Sequence, residues 1–246
     1  MARAEEIQVD HVYRSKPLAD GGRQDVLADF SLTVPAGQTI GVIGRSGGGK
    51  STFLRLLNRL EDPDRGEIRY GGRDTRRLEV TEFRRQVTLV NQRSVIFPGT
   101  VLENVLLPDT LTGRGAGSRE RAMEMLRLVR LPAETFNRDA AALSVGQQIR
   151  VQLARVLYLD PAVLLLDEST ANLDPKVAGE ILDELHRLAG DGGLTILHVS
   201  HEPDKLRRCA RLILIENGRV AADGNPAAIL DDPRGPASGI LANHED

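Results

Sequence analysis

The chain opens with alternation: residues 7–13, Ile-Gln-Val-Asp-His-Val-Tyr, switch between apolar and polar with the two-residue period of a half-buried strand. Residues 15–25 are polar and contain Gly21-Gly22, which predicts a loop or hairpin turn before a second strand over 26–34. Pro35-Ala36-Gly37 turns the chain into a buried strand over 39–43, and residues 53–60 have the apolar spacing of a helix. Turns at 63–66 and 71–72 bracket a short strand over 67–70. A helix over 82–85 and a strand over 87–90 follow, and the strand delivers Asn91 and Gln92 at its carboxyl end.

Residues 97–142 differ in character, with Pro98-Gly99, Pro108, the glycine-rich run 112–117 and a helical pattern over 119–130. They read as a helical insertion between core strands. A long helix then opens at 143–148, with Ser144 suited to its N-cap, and runs through Leu159. Residues 163–168 form a continuous apolar run closed by Asp167 and Glu168. Period alone fits strand or helix there; the short length and the preceding Pro161 favour a buried parallel strand. A helix over 177–188, a strand over 195–199, a short helix over 203–208 and a hairpin around Asn217-Gly218 complete the pattern. Beyond Leu230 the Asp, Pro and Gly content predicts a frayed end.

Chemistry enters at Gly44-Arg45-Ser46-Gly47-Gly48-Gly49-Lys50-Ser51-Thr52, which fits the phosphate-binding pattern G-x-x-x-x-G-K-[ST] between a strand and a helix. Glycines let consecutive N–H groups point inward at phosphate oxygens. Lys50 brings a positive charge for the β- and γ-phosphates, and Ser51 a hydroxyl for Mg²⁺. Gln92 ends a strand of an open sheet, where ligands bind. Asp167 and Glu168 supply one carboxylate for a metal and one to orient water.

Composition removes several alternatives. The 246 residues are 41% hydrophobic and 27% charged, ordinary values for a globular protein with a sizeable core. A net charge of −3 gives no general attraction to nucleic acid or anionic lipid, and no nucleic-acid partner is expected. Cys209 stands alone, which rules out an intramolecular disulfide and suits a reducing compartment and a core position. Glu5 and Glu6 occupy the place of a signal peptide's apolar core, and no run nears 18 apolar residues.

These landmarks, in this order, resemble the ATP-binding subunits of ABC transporters over residues 7–230. Within that resemblance Tyr13 matches the aromatic residue that stacks on adenine, Gly44 to Thr52 the Walker A loop, and Gln92 the Q-loop glutamine. Leu143 to Gln147 matches the signature L-S-G-G-Q, residues 163–168 the Walker B strand, 171–174 the D-loop and His201 the switch histidine, with His198 assigned to packing. Three positions depart from the pattern: Val145 replaces the first signature glycine, Ser169 a proline, and Asn172 a small D-loop residue.

The resemblance implies one α/β domain over 1–246, with a mainly parallel core, an antiparallel side sheet and a helical subdomain near 97–160. It implies Mg²⁺-dependent ATP hydrolysis. Catalysis would fall to Glu168, His201, Lys50 and Gln92, and the metal to Ser51, Gln92 and Asp167. Nucleotide contacts would come from Tyr13, Gly44, Ser46, Gly47, Gly48, Gly49, Lys50, Ser51 and Thr52. Ser144, Gly146, Gln147 and Asp174 would meet the nucleotide of a second copy across a head-to-tail dimer, or a pseudo-symmetric dimer with a related ATPase. A separate permease would hold the assembly at the cytoplasmic face of the membrane and dock on the helical insertion. The subgroup it most resembles suggests a metal ion or phosphate as solute. A soluble ABC-type ATPase of iron–sulfur cluster assembly is the alternative. A P-loop kinase would leave the signature and His201 without a task.

Overall fold

The opening alternation builds a longer strand than its pattern predicts. In the computed structural model, which describes residues 4–18, 21–91, 93–112, 118–171 and 173–241, β1 (Ile7–Pro17) pairs antiparallel with β2 (Arg23–Val34). The expected loop over 15–25 narrows to a tight hairpin, in which the Leu18 N–H donates to the Gly22 carbonyl at 2.8 Å. Ser15, Lys16 and Pro17 face Asp25, Gln24 and Arg23 across the ladder, so main-chain pairing extends the strands where side-chain pattern does not.

The chain continues through β3 (Thr39–Ile43), α1 (Lys50–Leu57), β4 (Arg65–Tyr70), β5 (Arg73–Asp74), α2 (Val80–Gln86) and β6 (Val87–Val90). Strands β2, β1, β4 and β5, in that order, make the antiparallel side sheet. Three helices follow as the insertion: α3 (Val101–Thr112), α4 (Arg119–Leu128) and α5 (Val145–Tyr158). The core is then completed by β7 (Val163–Asp167), α6 (Pro175–Gly192), β8 (Thr195–Val199), α7 (Pro203–Arg207), β9 (Arg211–Glu216) and β10 (Arg219–Gly224). Two short helices, α8 (Pro226–Leu230) and α9 (Ser238–Leu241), lie beyond them.

The second sheet runs β10-β9-β3-β8-β7-β6, and every neighbouring pair in it is parallel except β9 with β10. Its central strands β3, β8 and β7 are buried along nearly their whole length, covered on both faces, which explains the unbroken apolar run in β7. Leu164 and Leu166 pack with the helices α3 to α6, while Val163 and Leu165 pack toward α1 and the side sheet. Phe53 of α1 meets Phe30 of β2 with ring centroids 4.9 Å apart, tying the two layers together. Asn217 and Gly218 both take positive φ, 49° and 71°, as the two-residue hairpin turn requires.

One expectation is overturned. The region past Leu230 does not fray from its start: Ala237 and Ile240 are buried with Leu206, Leu212, Leu214 and Leu230. Two apolar residues suffice to dock a polar segment when the surface beneath is already hydrophobic.

Candidate functional site: a phosphate loop beside a carboxylate–histidine pair

The sheet order sets β8 between β3 and β7, so the carboxyl ends of these three strands deliver Gly44, Asp167 and His201 to one edge. The loop from Gly44 to Gly49 then curls into the N-terminus of α1. Gly44 is pressed against β9, where a Cβ would lie 2.2 Å from the Ile215 carbonyl oxygen. Gly49 caps the helix with φ 104°, a conformation closed to other residues. No side chain caps α1 and no acidic residue occupies its first turn, so its leading N–H groups and the positive end of its dipole are suited to an anion.

A cleft of ≈ 600 Å³ opens over this loop, lined by Ser46 to Thr52 with Asp167 and Glu168, and by Lys16, Pro17, Leu18, Gln24 and Val26 from the β1–β2 hairpin. Lys50 is buried, and its Nζ donates to the Gly44 and Arg45 carbonyls at 2.7 and 2.9 Å. Burial holds its ammonium below its ordinary pKa, opposed by the charges of Glu168 and Asp167. The Ser51 hydroxyl donates to Asp167 Oδ1 at 3.1 Å, across 116 residues of sequence. Burial pushes the Asp167 carboxyl up, the Ser51 hydrogen bond opposes this, and the charge of Glu168 adds to the rise.

Glu168 follows β7 in the left-handed region, φ 50°, and its Oε1 lies 2.8 Å from Nε2 of His201. Carboxylate and imidazole thus form a joined pair at the edge of the phosphate cleft. His198, three residues earlier, points the other way into β8 packing, fully buried, with Nε2 3.4 Å from the Thr170 hydroxyl. Burial pushes its pKa down to about 3, so it stays neutral. Cys209 is a buried core residue whose thiol burial raises to about 12.

Other candidates lie elsewhere. Tyr13 is not among the residues lining the cleft; the Arg65 guanidinium sits 4.6 Å from its ring centroid. Ser144, Gly146 and Gln147 open α5 through a capping box, with Ser144 Oγ accepting from the Gln147 N–H at 3.3 Å and Gln147 Oε1 accepting from the Ser144 N–H at 3.1 Å. They do not line their own chain's cleft. Val145 beside them is 62% exposed. Asp174 caps α6, accepting from the Lys176 and Val177 N–H groups at 3.0 and 3.2 Å. Ser169 is buried. Gln92 and Asn172 lie outside the described residues. Lys16, which sequence reasoning passed over, lines the cleft and donates from Nζ to Thr52 Oγ1 at 2.9 Å. Its signal was scarcity: it is one of only four lysines in the chain.

Comparison with known proteins agrees with this geometry. The family model described as ABC transporter matches residues 27–171. Methionine import ATP-binding protein MetN of Caulobacter vibrioides is 42% identical over 216 residues, covering 85% of this chain and 64% of its own. MetN of Latilactobacillus sakei subsp. sakei is 40% identical over 214 residues, covering 85% and 62%. The chain therefore spans about three-fifths of the length of these relatives. The dimeric post-hydrolysis structure of the ATP-binding cassette MJ0796, bound to ADP and Pi, superposes with a TM-score of 0.82 at 30% identity, covering 89% of this chain and 98% of that one. A bacterial Atm1-family ABC exporter with ATP bound gives 0.85 at 26%, over 100% and 43%. By sequence, by fold and by the order of its phosphate loop, signature and carboxylate strand, the chain belongs to the ABC transporter family.

Proposed function

We propose that the chain binds and hydrolyses ATP as the energy-coupling subunit of a transporter. The observation that carries this is the convergence of an uncapped glycine-loop helix, the Ser51–Asp167 pair and the Glu168–His201 pair at one sheet edge. The N–H groups of 46–52 take phosphate oxygens, and Lys50, lifted off its own loop carbonyls, neutralises charge on the β- and γ-phosphates. Glu168 accepts a hydrogen bond from the attacking water, and His201 fixes the carboxylate and reaches the γ-phosphate.

A magnesium ion fits the donors present. Ser51 and Asp167 offer one hydroxyl and one carboxylate, and among the described residues no cluster of three or more His, Cys, Asp or Glu competes for a metal. Mg²⁺ takes few protein ligands and keeps water and phosphate oxygens, so this sparse set suits it. When bound it neutralises charge developing on the phosphates. Gln92 is proposed as a further contact linking this site to the permease.

The signature residues Ser144, Gly146 and Gln147, with Asp174, are proposed to meet the nucleotide of a second copy in a two-fold dimer. One domain over 1–246 carries all these parts. Among the described residues no helix is long and apolar enough to cross a membrane. A separate permease is proposed as the channel, with this chain peripheral on the cytoplasmic face; support comes from the MetN relatives, which are named as ATP-binding proteins. The chain's docking surface is proposed at a groove of ≈ 550 Å³ lined by Ile96 to Thr100, Glu103, Asp139, Ala141 and Gln148, with Phe97 exposed in its wall and Val95 exposed beside it. The solute proposed is methionine. Support for it comes from the names of the MetN relatives, and it replaces the metal ion or phosphate suggested by subgroup resemblance.

The decisive experiment is phosphate release by the purified chain, with and without its permease. Wild type should hydrolyse ATP, and Glu168→Gln should bind ATP yet turn over at least about a hundredfold more slowly, the scale of a lost general base. Normal turnover in that variant removes Glu168 from the role. Uptake of labelled methionine into vesicles holding the assembly tests the solute.

A further inference from the structure

The nucleotide cleft has two ends of different chemistry. The loop end, 46–52 with Asp167 and Glu168, is built for phosphates. The hairpin end must then face the ribose and base, and its lining is Lys16, Pro17, Leu18, Gln24 and Val26. No aromatic side chain lines the cleft among the described residues. Tyr13 is kept out by the shape of β1. Its register with β2 shifts between Val9 and Val12 and again up to Ser15, and His11 takes φ 46°. These bulges turn the strand so that Lys16, three residues further on, reaches the site instead.

Lys16 stands where the hairpin end of the cleft meets the loop end. Its ammonium bonds Thr52 Oγ1 in the first turn of α1, and it stands 3.8 Å from Glu61. It therefore enters from the hairpin wall, while Lys50 enters from the helix. A nucleotide seated on the loop brings its α-phosphate between its β-phosphate and its ribose, next to that ammonium. The base then lies against the side chains of Pro17, the 43% exposed Leu18 and Val26, which are apolar and cannot read its edge. Gln24 presents either an amide N–H or a carbonyl, so it suits adenine and guanine alike.

We propose that Lys16 is a second phosphate-binding cation of this site, and that the site therefore takes nucleotides with little regard to their base. Affinity comes from charge at the α-phosphate where an aromatic residue would have supplied base stacking. The inference rests on the nucleotide reading of the cleft, and its test separates the two.

Calorimetric binding of ADP, GDP and CDP to the full chain, at low and high salt, avoids turnover. The three dissociation constants should agree within about fivefold, since no stacking contact ranks the bases. Lys16→Ala should weaken all three alike by about tenfold, the loss of one charge-assisted contact, and flatten the salt dependence. Lys16→Tyr should regain affinity for ADP and GDP more than for CDP. A preference for ADP beyond fivefold overturns the inference and leaves the nucleotide reading standing, as do unchanged constants and salt slope in a folded Lys16→Ala chain. Failure of folded wild type to bind any of the three overturns both.

Discussion

Glu168 concentrates much of the molecule's meaning in one residue. Its φ of 50° costs about 1–2 kcal/mol for a side chain with a Cβ, and it sits beside the negative charge of Asp167. Such strain persists where surrounding structure enforces it, here the link to His201 and the main-chain bond from the Glu168 N–H to the Val199 carbonyl at 3.3 Å. Glu168→Gly relieves the strain while enlarging the freedom of the unfolded chain. Thermal or urea unfolding should find stability held or raised by about 1 kcal/mol, while hydrolysis is lost. His198 makes a different point. Buried neutral, with its pKa lowered from 6.5 to about 3, it takes up a proton only when unfolded between those values. The sign follows: the unfolded chain binds more protons there, so stability is full above pH 6.5 and falls as pH drops toward 3. At pH 5 the loss should reach about 2 kcal/mol, and urea unfolding of His198→Gln should lack that component. Both histidines were separable in the sequence, because alternation through a strand sends 198 inward and leaves 201 past its end. Tyr13 was assigned by resemblance to an aromatic position of the family, and the register shifts of β1, which no local pattern announces, set its ring beside Arg65 and off the cleft.

At the scale of elements, what could be read from sequence was whatever local chemistry enforces. The glycine loop, the Ser144 cap and the Asn217-Gly218 turn are such cases, and each formed where the pattern set it. The misses are elements held by distant partners. Helix α3 carries Pro108 inside it and forms because Val101, Leu102 and Val105 are buried against the insertion's core, which outweighs the proline. The longer β1–β2 hairpin is stabilised by its ladder, and α9 by an apolar floor that no local pattern announces. The phosphate loop itself carries a prediction about packing. A methyl group at Gly44 would meet the Ile215 carbonyl at 2.2 Å, and backbone is the least able to yield. Gly44→Ala should therefore cost about 3 kcal/mol in urea unfolding through overpacking, in addition to its loss of nucleotide binding. Gly47→Ala makes the contrast: no atom lies within 4 Å, and only its φ of 76° resists, so its cost should stay near 1 kcal/mol.

For the whole molecule the central question is which chain supplies the signature. Ser144, Gly146 and Gln147 do not line their own cleft, and Val145 beside them is apolar and exposed. In a two-fold dimer each site would join the phosphate loop of one copy to the signature of the other, and a defect in either part would silence a site. Mixing two defective chains distinguishes the arrangements. Lys50→Ala disables the loop, and Ser144→Arg disables the signature. Each alone forms dimers in which both sites carry one fault, and neither should turn over ATP. A mixed dimer places both faults in one site and leaves the other whole. Equal mixing makes half the dimers mixed, each with one sound site of two, so phosphate release should recover to about a quarter of wild type. If loop and signature instead act within a single chain, every site in the mixture keeps one fault. The mixture then stays as inactive as its components, and the head-to-tail dimer fails with it.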